Sequence, residues 1–215
     1  MSQTVWIARH ANRLDFVHPE WFDTAPRRYD PPLSEDGFVQ AEQLAQRLKG
    51  ENIRHIFCSP FLRTVQTAHA VANALDLPLN LEWGLCEWLN PDWMSHYPET
   101  APVEELIQDY PRIDPTYQSY LVPEYPESPE AVCSNRAAKT ASHLAATFSE
   151  DILLVGHGAT VLGSTMGFIP GVTENEIRTA LCCLVKVVRE QDQWAIALNG
   201  DTSHLTETES VIRLN

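Results

Sequence analysis

Positive charge is scarce in this chain. Across 215 residues, 15 Lys and Arg face 29 Asp and Glu, a formal net charge of −14. General nucleic-acid binding needs a basic face to neutralise phosphates, so that class is excluded. Paired cysteines are lacking as well. Cys58, Cys86, Cys133, Cys182 and Cys183 are odd in number and contain no C-x-x-C pair, which implies neither a disulfide framework nor a zinc site. No apolar run reaches the ~18 residues of a membrane span. No basic segment followed by an apolar stretch opens the chain, so no signal peptide is expected. These absences point to a reducing, cytoplasmic location with no membrane partner. Internal repeats and low-complexity segments are also missing.

What is present is a 44% hydrophobic chain of a length that suits one domain with a full core. Val5–Ala8 reads as a strand, followed by a polar loop carrying Pro19, Pro26, Pro31 and Pro32. Ser34 then looks like an N-cap, with Phe38, Ala41, Leu44, Ala45 and Leu48 at helical spacing and Gly50 as the stop. Ile53–Cys58 is a second strand. Ser59-Pro60 reads as cap plus first-position proline of a helix buried through Phe61, Val65, Ala68, Ala72 and Leu75. Leu77–Leu81 is a short third strand. Eight of the fifteen prolines fall between Pro91 and Pro129, so no long helix fills residues 84–129. That stretch carries Trp88, Trp93, Tyr97, Tyr110, Tyr117, Tyr120 and Tyr125. It is either a lid or a surface excursion with aromatics packed inward.

Beyond it, Ser128-Pro129 repeats the cap-plus-proline signal ahead of Cys133, Ala137, Ala141, Leu144 and Phe148. Asp151–Val155 is apolar on both faces, as in a central parallel strand. A helix follows through Val161–Phe168. Leu181–Val188 and Trp194–Leu198 form a hairpin across the Arg189–Gln193 turn, and the first of these is a candidate free edge. Strands alternating with helices predict a three-layer α/β/α sandwich, its central sheet mostly parallel with one antiparallel strand.

Three of these strands end in a turn bearing a cation or an imidazole: Arg9-His10, then Ser59 to Arg63, then Gly156-His157-Gly158. In open α/β sheets that end is where ligands bind. Each is also readable alone as a surface or packed side chain. Converged, they form an anion pocket, strengthened at Arg63 by the positive end of its helix dipole. Two imidazoles without carboxylates at a recognised spacing, crowded by arginines, argue against a metal. The parts instead suit phosphoryl transfer to histidine. A neutral His10 attacks phosphorus, guanidinium groups hold the oxygens, and a carboxylic acid protonates the leaving group. Glu87, beside Trp88, is the candidate acid, and burial is expected to raise its pKa. An ordinary solvated glutamate is the alternative.

These motifs resemble the histidine phosphatase superfamily, the phosphoglycerate-mutase-like fold, over essentially the whole chain. Arg9-His10-Ala11 is similar to its Arg-His-Gly signature. Pro32-Leu33-Ser34 with Gly37, Gln40 and Ala41, Cys58 to Arg63 with Gln66-Thr67-Ala68, and Gly156-His157-Gly158 resemble its other blocks. Arg13, Asp30–Ser34 and Gly84–Trp88 look most like the phosphatase domain of the suppressors of T-cell receptor signalling. The resemblance implies His10 as nucleophile, Arg9, Arg13, Arg63 and His157 as the phosphate pocket, Glu87 as acid/base, and no metal or organic cofactor. One departure is Ala11 for the signature glycine, which would be strained at positive φ.

The expected activity is a metal-independent phosphomonoester hydrolase acting on a small or aromatic phosphate, including a phosphotyrosine-like one. The alternatives are mutase-type phosphoryl transfer, which Asn12 to Asp15 disfavours, and a catalytically weak phospholigand-binding module. Trp88, Trp93 and Tyr97 could stack an aromatic leaving group, and Arg27 and Arg28 could bind a second anion.

Overall fold

Short apolar runs buried on both faces build the centre of the sheet. The computed structural model describes residues 2–207. Strands β1 (Gln3–Arg9), β2 (Ile53–Cys58), β3 (Leu79–Leu81), β4 (Asp151–Gly156), β5 (Leu184–Glu190) and β6 (Gln193–Asp201) lie in the order β3-β2-β4-β1-β5-β6. The first four are mutually parallel, and β5 runs antiparallel to both β1 and β6. The helices are α1 (Leu14–Val17), α2 (Trp21–Thr24), α3 (Glu35–Leu48), α4 (Leu62–Leu75), α5 (Val103–Asp109), α6 (Ala131–Thr147) and α7 (Gly158–Phe168). Among the described residues no helix is long and apolar enough to cross a membrane. All five cysteines are free and buried.

The two faces of β1 feed separate cores. Trp6 and Ala8 join Ile56, Cys58, Leu153 and Val155 beneath α3 and α4. Val5 and Ile7 join Phe57, Ile152, Leu154 and Val185 beneath α6 and α7. This is the expected three-layer sandwich. A one-residue slip would exchange the faces of a strand, so its register is strongly specified.

Several boundaries move for identifiable reasons. The expected edge at Leu181–Val188 is interior. Gln191 and Asp192 adopt positive φ (51° and 64°) in a tight turn that folds β6 onto β5, leaving β6 as the edge. Phe38 is exposed, because the buried stripe of α3 runs through Gly37, Ala41, Leu44, Ala45 and Leu48. Gly50 lies outside the helix in an ordinary conformation and Lys49 caps α3. Helix α6 starts at Ala131, after a turn in which Val132 N donates to the Pro129 carbonyl. Ser34 caps α3 as expected, its Oγ accepting from Gly37 N. Gly37 itself is required by proximity, since a Cβ there would sit 2.1 Å from the Asn12 carbonyl oxygen. That contact pins the loop after His10 against α3.

Helix α4 begins two residues later than expected, at Leu62, with no cap from its own N-terminal side chains. The Leu62 amide donates instead to Asp30 Oδ1 at 2.6 Å, a carboxylate delivered from the preceding loop. Burial pushes the Asp30 carboxyl up to about 6, against the pull of Arg63 and the Leu62 amide. The folded protein therefore holds this proton through a range where the unfolded chain, near the ordinary value of 3.8, has lost it. Asp30 stabilises fully below pH 3.8 and loses that contribution as pH rises through about 6. Asp30→Asn keeps an acceptor for Leu62 but cannot ionise. Thermal unfolding from pH 4 to 8 should show a smaller loss of stability with rising pH in this variant, by up to about 3 kcal/mol.

Candidate active site

The register of the parallel strands brings the separate motifs together. Arg9 pairs with Gly156 across β1 and β4, and Cys58 with Val155 across β2 and β4. The ladder continues past the strand ends: His10 N donates to the Gly156 carbonyl at 2.9 Å and Ser59 N to the Val155 carbonyl at 3.0 Å. Helices α4 and α7 start at this same edge, with Arg63 in the first turn of one and His157 capping the other. Their positive dipole ends add to an already cationic site.

All six expected residues are buried here. The His10 and His157 rings lie 5.3 Å apart, edge to face. One ring nitrogen of each and a Glu87 carboxylate oxygen lie within 4.8 Å of one another. No metal-ligand spacing linked a carboxylate to these histidines along the chain, and the fold brings the expected acid, Glu87, to them. The donor set alone would suit a metal ion. The guanidinium groups of Arg9, Arg13 and Arg63 around His10 make the site hostile to a cation and receptive to an anion.

His10 is set up as a base without a partner. Its Nδ1 lies 2.8 Å from the Ala11 carbonyl oxygen, so Nδ1 carries the hydrogen. Nε2 keeps the lone pair and has no hydrogen-bond partner among the described residues. Burial, and then the charges of Arg63 and Arg9, hold the imidazole well below its ordinary pKa. Ala11 is free of the anticipated strain. It is absent from the positive-φ residues, its amide donates to Thr67 Oγ1 at 3.1 Å, and its methyl packs in the core. Gly156 likewise has an ordinary φ and serves close packing, with Thr160 where a Cβ would stand.

His157 bridges the other groups. Its Nε2 lies 2.8 Å from Ser59 Oγ, and its Nδ1 lies 3.2 Å from Glu87 Oε2 and 3.3 Å from Arg63 Nη2. Burial, opposed by Glu87, pushes this imidazole down to about 4, so it is neutral near pH 7. Ser59, read from sequence as a helix cap, is therefore a site residue. Arg63 Nη1 donates to the Tyr29 carbonyl at 3.3 Å, and Nη2 lies 3.5 Å from Glu87. Burial lowers Arg63 to about 10, which leaves it charged. Arg9 Nη1 donates to the Thr179 carbonyl at 2.7 Å.

Glu87 departs from expectation. Burial raises its carboxyl, but the opposing pull of His157, Arg63 and Arg13 prevails and holds it ionised, far below the usual range. The neighbouring Trp88 was expected to act as an apolar wall. Instead its amide donates to Glu87 Oε1 at 3.0 Å.

A cavity of about 320 Å³ opens onto this cluster, lined by Arg13, Asp15, Phe16, Phe22, Tyr29, Arg63, Glu87, Trp93 and Met94. Asp15, unmarked in the sequence, is buried and grips Arg13 through Nε at 2.9 Å and through Nη2. Of the aromatics singled out beforehand only Trp93 lines this space. The Trp88 indole donates to the Glu127 carbonyl, and Tyr97 packs on Trp83. Arg27 is tied to Glu105 at 2.7 Å, and Arg28 stacks on Tyr29 and Phe22, so neither lines the cavity. Phe16, Phe22 and Tyr29 were missed. Their aromatic character within a proline-rich polar loop was the available signal.

Residues 5–202 match the family model of the histidine phosphatase superfamily, branch 1. The chain belongs to this family. It is 28% identical to the transcription factor tau 55 kDa subunit of Saccharomyces cerevisiae, covering 97% of this chain and 57% of that protein. It is 27% identical to the ecdysteroid-phosphate phosphatase of Drosophila melanogaster, covering 91% and 32%. The chain thus spans little more than half of one of these relatives and about a third of the other. It is 31% identical to the probable phosphoglycerate mutase GpmB of Yersinia pestis, over 94% of both. The ecdysone phosphate phosphatase of Bombix mori, solved with tungstate, shares the fold at a TM-score of 0.77 and 18% identity, covering 99% of this chain and 98% of that one. Family and relatives together support a phosphatase or phosphotransferase.

The electrostatics of His10 are directly measurable. Arg63→Met removes one of the cations that disfavour its protonation, so its pKa should rise toward 6.5. Nitrogen-15 imidazole NMR of the two proteins across pH 4 to 8 would show this, with the Nδ1–H tautomer in both. An unchanged titration would refute the assigned role of Arg63.

Proposed function

We propose that this protein is a metal-independent phosphomonoester hydrolase that works through a phosphohistidine at His10. The observation that carries this reading is the unpartnered Nε2 lone pair of His10, buried among Arg9, Arg13 and Arg63. Such a ring of guanidinium groups binds the non-bridging phosphate oxygens and stabilises charge as phosphorus transfers.

In the first half-reaction His10 Nε2 bonds to phosphorus, the ester P–O bond breaks, and the leaving oxygen takes a proton from Glu87. In the second, water attacks the phosphohistidine while the Glu87 carboxylate accepts its proton. Inorganic phosphate leaves and His10 is regenerated. Glu87 must therefore bind a proton before the first step. A phosphate dianion entering beside it draws on the same Arg63 charge that otherwise keeps Glu87 ionised, and adds a negative neighbour. Both effects raise the Glu87 pKa.

The cavity supports an aromatic or bulky apolar leaving group, since Phe16, Phe22, Tyr29, Trp93 and Met94 form much of its wall. The Drosophila relative is named for an ecdysteroid phosphate, which fits the same class. Mutase chemistry on a phosphorylated carboxylic acid is less well served. Among the described residues Arg13 and Arg63 are the cations that line the cavity, and Asp15 already occupies one edge of Arg13. The presence of nucleophile, acid and arginines together favours an enzyme over a silent phospholigand-binding module.

His10→Ala should abolish hydrolysis of p-nitrophenyl phosphate, and rapid quench of the native enzyme should trap an alkali-stable, acid-labile phosphoprotein. Activity surviving in His10→Ala would sink the covalent mechanism. Trp93→Ala should raise KM for aryl phosphates roughly tenfold while changing that for small alkyl phosphates far less. Equal effects on both would show that the aromatic wall does not contact the leaving group.

A further inference from the structure

Outside the phosphate pocket, one buried guanidinium makes an unusual set of contacts. Arg136, on α6, uses every N–H it has. Nη1 donates to the carbonyls of Gly84 and Cys86, each at 3.0 Å. Nη2 donates to the Glu87 carbonyl at 3.1 Å and to Glu127 Oε2 at 2.7 Å. Nε donates to Glu127 Oε1 at 2.6 Å. Both side chains of this ion pair are almost wholly buried.

Three of these bonds fall on the backbone that carries Glu87, and none falls on its side chain. Glu127 holds the same segment from the other side. Its Oε2 accepts from Leu89 N at 3.1 Å, its amide donates to the Leu89 carbonyl at 3.0 Å, and its carbonyl accepts from the Trp88 indole at 2.8 Å. The Arg136–Glu127 pair thus joins the two ends of the 84–129 insertion and grips residues 84 to 89 between them.

We propose that Arg136, seated on Glu127, is a positioning residue that sets where the Glu87 carboxyl stands over the site. This rests on Glu87 being the general acid. The pair is built for placement rather than for net stability. Two charges brought out of water gain little over an apolar pair of the same size. Five directed bonds from a planar fork, however, define the course of a loop that has no regular structure. Lysine, with three donors on a flexible stem, cannot reproduce them.

The proposal makes a claim that a purely structural role does not. In the first half-reaction a displaced acid slows only those substrates whose leaving group needs a proton; the second half-reaction is common to all of them. Alkyl phosphates need it, whereas 2,4-dinitrophenyl phosphate leaves as a stable anion. Arg136→Lys and Glu127→Gln should each reduce the single-turnover rate of leaving-group release from an alkyl phosphate at least tenfold, and that from 2,4-dinitrophenyl phosphate less than threefold. Inhibition by orthovanadate should be unchanged, because the arginines of the phosphate pocket are not touched.

Circular dichroism and thermal melts select the folded variants. Should both single variants fail to fold, the double variant Arg136→Met/Glu127→Leu, which leaves no buried charge unpaired, takes their place in the same assay. Glu87→Gln serves as the reference. If it lacks the leaving-group-dependent loss, Glu87 is not the acid and the underlying reading fails. If Glu87→Gln shows that loss while the folded clamp variants lose both substrates equally, or neither, the positioning role of Arg136 is overturned.

Discussion

Burying cations is the constraint on which the rest of this structure depends. Arg9, Arg13, Arg63 and Arg136 are nearly inaccessible to water in a chain whose overall charge is strongly negative. An isolated buried charge costs several kcal/mol. Each arginine is therefore met by a built partner: Asp15 for Arg13, Glu87 and the Tyr29 carbonyl for Arg63, Glu127 for Arg136, and the Thr179 carbonyl for Arg9. The loops that supply these partners have little regular structure of their own. Their course follows from where the guanidinium groups need oxygen.

The same balance sorts the site into groups with different tasks. Arg136 is fully satisfied and belongs to the scaffold. Arg63 is only loosely met by Glu87, at 3.5 Å, and lines the open cavity, so it can exchange that partner for an incoming anion. His10 stays neutral because it is buried beside these cations, and Glu87 is ionised because it faces them. In the proposed mechanism one field thus prepares the nucleophile and withholds the proton until a phosphate changes the local charge. The chain is acidic overall, but screening limits the reach of surface charge to about 8 Å at physiological ionic strength, and the local arginines dominate at the site.

Much of the fold was legible because its signals are local. Short apolar runs marked β1, β2 and β4, and helical spacing marked α3, α4 and α6. The start of α4 was misread because its cap comes from Asp30, remote in sequence, while Ser59 is drawn away to His157. The Leu181–Val188 segment was misjudged as an edge because only pairing with β6 reveals its neighbour. At the site, His10, Arg63 and His157 stood out since each follows its own strand. Asp15, Ser59 and the Arg136–Glu127 pair did not, because nothing in their spacing announces what they touch.

The sequence by itself determined the layered α/β architecture, the family and the residues of the proposed phosphate pocket. These follow from periodicity and from motifs contiguous along the chain. Tertiary structure alone decided the charge states and the placement. The ionised Glu87, the neutral His10 with its free Nε2, the aromatic wall of the cavity and the clamp beneath Glu87 all arise from groups distant in sequence. Coulombic interaction and desolvation depend on separation in space and on exclusion of water, and neither quantity is written in the order of residues.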